Sequence, residues 1–361
     1  MSLASEVREL PLQPSRSASA VTVQSVITRT VKYVRFNRAT GMMFEEGNCT
    51  GSHICIERAD ELVCDTLTMI TRREFIFSLA TGLFAPRLVA RQRDVTLRVG
   101  LLLPAIGGVN DIRDGVHLAL SENERAAALF GQKLNVEEKF THSTGAQSSA
   151  TELIRDHRIS VLIGGAGLSE ARQLRDAADK AGIVFLNVGA TDDSLRREGC
   201  TRTMYHVAAS DAMIASAKQA LGASQSGAAI ELWHSSLDRY GGSQLNDRFR
   251  NRFARSMNSA AWAGWFALKL AWESGLRAQS AEPSALLAAL DRDGTQFDGH
   301  KGAPLSFRSW DHQLRQPLYA VAAGRVVAEL PDVGRNADQS MREELDKFGD
   351  PAGSAGCGVK R

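Results

Sequence analysis

The sequence predicts an α/β protein in which a parallel β-sheet carries helices on both faces. From residue 94 onward, short apolar runs alternate with longer amphipathic segments, which is the pattern of repeated β–α–β units. The runs at 95–104, 160–164 and 183–187 are almost wholly apolar and do not alternate. Strands of this kind are buried on both faces, as in a parallel sheet.

The predicted elements follow one another in a regular order. Four strands (95–104, 134–140, 160–164 and 183–187) are separated by three helices (111–130, 148–157 and 169–181). A helix over 212–221, a short apolar run over 228–233 and a tryptophan-rich helix over 260–278 come next. Trp262, Trp265 and Trp272 recur at helical spacing, and such a stripe indicates core packing.

Composition excludes several classes of function. The chain has 43 basic and 41 acidic residues, so no strong field favours nucleic acid or a membrane surface, and no nucleic-acid partner is predicted. No cofactor is predicted. Cys200 and Cys357 could pair in an oxidising compartment. The remaining cysteines and one nearby histidine match no standard zinc spacing, so no metal is predicted; these residues are Cys49, His53, Cys55 and Cys64.

Three loops follow predicted strands, at 105–110, 164–169 and 189–193. The carboxyl ends of parallel strands meet at one edge of a sheet, which is where ligands bind in this class. Gly167 lets the backbone approach a ligand, Ser169 is placed as a helix N-cap, and Thr191 offers a hydroxyl. The loops lack the P-loop lysine and the dinucleotide glycine spacing, so nucleotide binding is not predicted. Plain βα turns are the alternative interpretation.

The stretch TRREFIFSLATGLFAPRLVA, residues 71–90, resembles a twin-arginine export signal. Arg72 and Arg73 precede Phe75 and an apolar run over 75–85, which is too short to span a membrane. We therefore expect a signal peptide over 69–90, with residues 1–68 a non-native or disordered extension and translation starting at Met69. A short buried helix with two chance arginines is the alternative.

Four stretches together resemble the type I periplasmic solute-binding proteins of ABC importers, in the leucine/isoleucine/valine-binding branch. They are VGLLLPAIGG, SVLIGGAGLSEARQLRDAADKAGIVFLNVGATDDSLRREG, YHVAASDAMIASA and FDGHKGAPLSFRSWDHQLRQPLYAVAAGRVV. The last resembles the subgroup associated with PQQ-dependent alcohol catabolism. The resemblance implies a two-lobed fold, with lobe 1 over 91–210 and lobe 2 over 211–330. Lobe 2 departs from the family in being shortened, and its closing part is a helix and a hairpin. The polar, glycine-rich end of the chain predicts a flexible tail over 331–361.

The resemblance also implies where a ligand binds. In the family, hydroxyl and backbone groups of two lobe 1 loops hold the ligand, so Thr191 is the best match, with Gly189 and Ala190 supplying backbone groups. The first loop departs from the family's Ser/Thr run, since Gly167 and its neighbours stand there before Ser169. In lobe 2, Trp233 and Tyr240 are ligand candidates by position, although Trp233 also fits a core role.

The function implied is that of a periplasmic substrate-binding component, which captures a small solute and presents it to an inner-membrane permease. It would not be an enzyme, and no nucleophile–base pair stands out in the sequence. Two alternatives stay open. One is a shortened paralogue that acts as a sensor or interaction partner; the other is a doubly wound transferase that grips a phosphate at 164–169.

Overall fold

The structure is a computed structural model, which describes residues 30–33, 47–50, 53–58, 61–66, 95–105, 110–129, 131–142, 144–222, 227–332, 340–353 and 357. The chain divides into two compact units, Met1–Val89 and Ala90–Arg361. The signal-like motif with Arg72 and Arg73 lies outside the described residues, so export and a start at Met69 stay predictions.

The first unit contains two antiparallel strand pairs. β1 (Thr30–Tyr33) pairs with β2 (Gly47–Thr50), and β3 (His53–Arg58) pairs with β4 (Glu61–Thr66). The expectation of a non-native or disordered extension over 1–68 stays a prediction. The partner of β1 comes from residues 47–50, beyond the reach of a short hairpin signal.

The second unit is built on a five-stranded parallel sheet with the order β6-β5-β7-β8-β9. Its strands are β5 (Val95–Pro104), β6 (Gln132–Thr141), β7 (Val161–Gly164), β8 (Val184–Asn187) and β9 (Met204–His206). The connecting helices are α1 (Asn110–Leu129), α2 (Ala146–His157) and α3 (Leu168–Ala181). The predicted α/β class and the order of these elements are confirmed.

Both faces of this sheet are covered. Leu101 and Leu103 of β5 belong to a core cluster that includes α1, whereas Leu102 belongs to a second cluster with α2 and α3. Consecutive residues of one strand thus enter opposite cores, because side chains alternate across a sheet. This explains why the strand sequence is continuously apolar.

The tryptophan-rich helix is α6 (Ser259–Ala278), and it packs directly on α1. Trp262 and Trp265 are fully buried and Trp272 is nearly so. The core interpretation of the tryptophan stripe is therefore confirmed.

The part of the chain predicted as lobe 2 is small and antiparallel. It holds α4 (Asp211–Leu221) and a sheet of β10 (Ala229–Glu231), β14 (Leu318–Ala322) and β15 (Arg325–Leu330), in the order β10-β14-β15. Met213, Ala217, Leu318 and Ala320 form its core. The strands of this sheet are antiparallel, in contrast to those of the five-stranded sheet. β10 is the only described strand between α4 and α6, so this region has no room for repeated β–α–β units.

One helix in this region is missing from the sequence prediction. α5 (Gly242–Phe253) lies in a stretch that reads as polar, yet Leu245 and Phe249 are fully buried. They stand four residues apart on one helical face. The arginines between them hide this pattern.

The remaining elements are α7 (Pro283–Asp291), β11 (Phe297–Asp298), β12 (Pro304–Phe307), β13 (Leu314–Arg315) and α8 (Ser340–Asp346). Among the residues that the structure describes, no helix combines the length and apolarity needed to cross a bilayer.

The C-terminal segment differs from the flexible tail that the sequence predicts. Leu345 and Phe348 are buried. Asp346 accepts hydrogen bonds from Arg308 Nε at 3.1 Å and Arg315 Nε at 2.6 Å. Cys357 forms a disulfide with Cys200 at a Cα–Cα distance of 5.1 Å. The described residues 340–353 and 357 are thus attached to the second unit by contacts with partners distant in sequence.

Candidate functional site

The turns that follow β7 and β8 lie against each other. The Val188 N–H donates to the Gly164 carbonyl at 3.0 Å, and a Cβ added to Gly189 would lie 2.9 Å from Ala166 Cα. The two strands are neighbours in the sheet, so their carboxyl ends share one edge. The structure therefore brings together the two loops that the sequence singles out.

Three of the predicted site residues present accessible groups at this edge. Gly167 and Ser169 are exposed and Thr191 is partly buried. A Cβ built on Gly167 would meet no atom within 4 Å, so the space beside this residue is open. The Thr191 hydroxyl makes no hydrogen bond with the residues that the structure describes. Ser169 is not the N-cap as predicted, because Gly167 takes that position and Ser169 is already helical.

The N–H groups of Gly189 and Ala190 are already occupied within the turn. Their N–H groups donate to Asn187 Oδ1 at 3.3 and 3.0 Å. Asn187 Nδ2 donates in turn to the Ala190 carbonyl at 2.8 Å. The turn is thus shaped from within by one buried side chain. The only sequence signal for Asn187 is a polar residue at the end of an apolar strand.

Arg196 holds the same turn from the other side. Its guanidinium is fully buried and donates to the carbonyls of Ala190 at 3.2 Å, Asp192 at 3.0 Å and Ala208 at 2.9 Å. Burial lowers the pKa of Arg196 to about 10, against the opposing charge of Asp311 and other aspartates. The group stays cationic at neutral pH, and it fixes the turn without a direct carboxylate contact.

Glu170 lies beneath the first turn and was not predicted as a site residue. It is only 5% exposed, and its Oε2 accepts a hydrogen bond from the Ala166 N–H at 3.1 Å. Burial raises the pKa of Glu170 to about 7, although the Gly165 and Ala166 N–H groups oppose the shift. The sequence gives no signal for this burial, because a glutamate in the first turn of a helix is ordinarily exposed.

Trp233 is a core residue and not a ligand contact. It is fully buried, its Nε1 donates to Asn246 Oδ1 at 2.9 Å, and its ring stacks on Trp262 with centroids 6.2 Å apart. A tryptophan with a satisfied N–H and no exposed surface cannot line an open cleft. Of the two roles that the sequence leaves open for Trp233, the structure therefore supports core packing.

Tyr240 lies at a different place from the two turns. It is 41% exposed and lines a shallow groove of about 460 Å³, together with Glu273 and Arg277 of α6 and residues 296–298 and 302–304. None of the described residues of 164–169 or 189–193 lines this groove. The structure thus does not bring Tyr240 together with Thr191.

One group of side chains in the described chain has the composition of a metal site. Ligand atoms of Cys200, His312 and Cys357 lie within 4.8 Å of one another. The two cysteines are joined as a disulfide, and in that form they offer no thiolate ligands.

Comparison with known proteins finds similar structures but no similar sequences. No protein-family model matches the chain, and no curated protein matches its sequence.

The fold is similar to that of solved binding proteins. One is the branched-chain amino acid substrate-binding protein LivJ from Streptococcus pneumoniae in complex with isoleucine (TM-score 0.54, 14% identity, 65% of this chain and 98% of that chain). Another is a periplasmic binding protein from Burkholderia mallei (TM-score 0.58, 15% identity, 74% of this chain and 100% of that chain). A third is an ABC transporter solute-binding protein from Rhodopseudomonas palustris in complex with 3,4-dihydroxybenzoic acid (TM-score 0.55, 12% identity, 67% of this chain and 99% of that chain). At these identities the similarity shows the fold, and that fold is the one of type I periplasmic binding proteins.

Proposed function

We propose that this chain is the substrate-binding component of an ABC importer. It captures a small solute at the carboxyl edge of the parallel sheet and delivers it to a membrane permease. The observation that carries the proposal is the contact between the two turns, with Gly167 open to solvent and the Thr191 hydroxyl without a hydrogen bond to any described residue. The solved proteins of similar fold support it, since two of them are described with a bound small solute.

A binding role, as opposed to catalysis, agrees with the groups at this edge. The Thr191 hydroxyl has no base within hydrogen-bond reach among the described residues, so nothing there activates it as a nucleophile. The Glu170 carboxyl is buried directly beneath the loop at 164–169. A carboxylate at this place disfavours the binding of a phosphate to the loop.

Export to the periplasm completes the proposal. It is supported by the twin-arginine-like motif at Arg72 and Arg73 and by the periplasmic binding protein from Burkholderia mallei among the similar structures. The Cys200–Cys357 disulfide agrees with an oxidising compartment.

A thermal-shift screen of the full chain tests the binding role. Amino acids, short amides, alcohols and aromatic acids are added singly, and a true ligand at about 100 times its Kd should stabilise the protein by about 2.7 kcal/mol. Thr191→Val should reduce that shift strongly. Thr151→Val, at an exposed threonine of α2, serves as the matched control and should leave the shift unchanged.

The screen also separates this proposal from its rival. If no compound raises the melting temperature, capture of a small solute is contradicted. The shortened antiparallel lobe would then point to a sensor or interaction partner.

A further inference from the structure

The amino end of α3 already carries a carboxylate supplied by the chain. The helix begins after Gly167 without a side-chain cap, so the N–H groups of its first turn have no acceptor within the helix. Such an end attracts anions. Glu170 lies in this first turn and is only 5% exposed. Its Oε2 accepts a hydrogen bond from the Ala166 N–H.

The other oxygen of Glu170 is unsatisfied. Oε1 is buried and has no hydrogen-bond partner among the residues that the structure describes. A Cβ built on Gly164 would lie 3.6 Å from this oxygen, 2.5 Å from the Leu102 carbonyl oxygen of β5 and 2.7 Å from the Leu174 side chain. None of these neighbours is cationic, and no ion pair to Glu170 is formed with the described residues. Where it is ionised, this carboxylate places a buried negative charge beneath the turn.

This charge has a consequence for any ligand that lies over Gly167. A solute carboxylate placed there would lie near a second carboxylate, and like charges repel each other. An uncharged oxygen would accept from the first-turn N–H groups without that repulsion. The free Thr191 hydroxyl can donate to or accept from the same uncharged group.

We propose that Glu170 determines specificity at this edge by excluding carboxylate solutes, so that the turn receives the uncharged hydroxyl or carbonyl group of its ligand. The inference rests on the proposed solute-binding function and names the chemical class of its ligand. It separates this chain from the proteins of similar fold that hold isoleucine or 3,4-dihydroxybenzoic acid, both of which carry a carboxyl group.

The titration of Glu170 supports the same inference. Burial raises its pKa to about 7, so the anionic fraction of the side chain is larger at pH 8 than at pH 6. The N–H groups of Gly165 and Ala166 oppose the shift, and no charged side chain of the described residues contributes to it. Exclusion of carboxylates should therefore weaken as the pH falls.

Two matched series of probes test the inference by calorimetric titration of the full chain at pH 8. One series is benzoate, benzamide and benzyl alcohol; the other is 3-methylbutanoate, 3-methylbutanamide and 3-methylbutan-1-ol. We expect the amide or alcohol of a series to bind at least about tenfold more tightly than its acid, a difference of about 1.4 kcal/mol. In Glu170→Gln the acid should bind more tightly, so that its affinity comes close to that of the amide or alcohol.

Control measurements keep each outcome decisive. Glu198→Gln, which removes an exposed carboxylate, should leave the gap unchanged. If Glu170→Gln does not fold, the unaltered chain at pH 6 replaces it, where the acid should bind more tightly than at pH 8 and the alcohol should not. Equal binding of acid and alcohol at pH 8 would overturn the inference alone. Binding of no probe by either protein would overturn the proposed function for these solutes and the inference with it.

Discussion

Gly115 of α1 and Gly264 of α6 mark a point where the two helix backbones touch. A Cβ on Gly115 would lie 1.9 Å from the Ala261 carbonyl oxygen, and one on Gly264 would lie 2.2 Å from the Ile112 carbonyl oxygen. Carbonyl groups of a helix cannot move aside as a side chain does, so each glycine is required by the other helix.

Replacing either glycine with alanine should therefore separate the helices. We expect Gly115→Ala or Gly264→Ala to lower the free energy of unfolding by about 2–4 kcal/mol, because the overpacking exceeds the gain in helix propensity. Urea unfolding followed by circular dichroism measures this change.

Gly275 offers a matched control on the same helix. Its nearest neighbour is 3.6 Å from the added Cβ, so Gly275→Ala should be neutral or stabilising by up to about 1 kcal/mol. Equal effects at Gly264 and Gly275 would show that the close crossing is not what limits substitution.

Asn187 should be required for the shape of the ligand turn. Its side chain is fully buried and bonds to the backbone of Gly189 and Ala190 and to His206 Nδ1 at 3.1 Å. Asn187→Ala leaves these groups unpaired, so we expect a loss of about 2–4 kcal/mol in unfolding free energy and weaker binding of any ligand found in the screen.

Asn135→Ala provides the comparison, since Asn135 is exposed on β6 and its loss should cost less than about 0.5 kcal/mol. Chemical denaturation of both variants measures the difference. A fully stable Asn187→Ala that binds ligand normally would contradict the assigned role.

The contribution of Glu170 to the stability of the protein should fall between pH 5 and pH 8. The pKa of Glu170 is raised from its ordinary 4.5 to about 7, mainly by burial. A group with a raised pKa in the folded state binds its proton more tightly there than in the unfolded chain. Its stabilising contribution is complete below pH 4.5 and is lost as the pH rises through 7. Glu329 has its pKa raised to about 7 in the same sense.

Melting temperatures across this range measure the effect. Glu170→Gln should reduce the loss of unfolding free energy between pH 5 and pH 8 by about 2–3 kcal/mol. Glu329→Gln should reduce it less because that side chain is more exposed. Glu198→Gln should leave the slope as it is. A decline of equal slope in Glu170→Gln would show that its carboxyl group does not titrate in this range.

Local pattern was sufficient for most of the parallel sheet. The runs around Leu101, Leu162 and Leu186 are apolar on both faces, and that pattern arises only where helices cover both sides. It failed for α5 and α8, whose few buried positions are surrounded by charged residues. Arg308 and Arg315 show why, since their buried guanidinium groups depend on Asp346, which lies more than thirty residues away.

The sequence by itself determined the order of strands and helices in the parallel sheet, and it located the two loops that meet at its edge. These features depend on side-chain period and on glycine, which are local properties of the chain. Only the tertiary structure decided that Trp233 is core, that Asn187 and Arg196 occupy the backbone of the turn, and that Glu170 is buried beneath it. Burial and hydrogen-bond satisfaction depend on which distant residues fold against a side chain, and no local pattern contains that information.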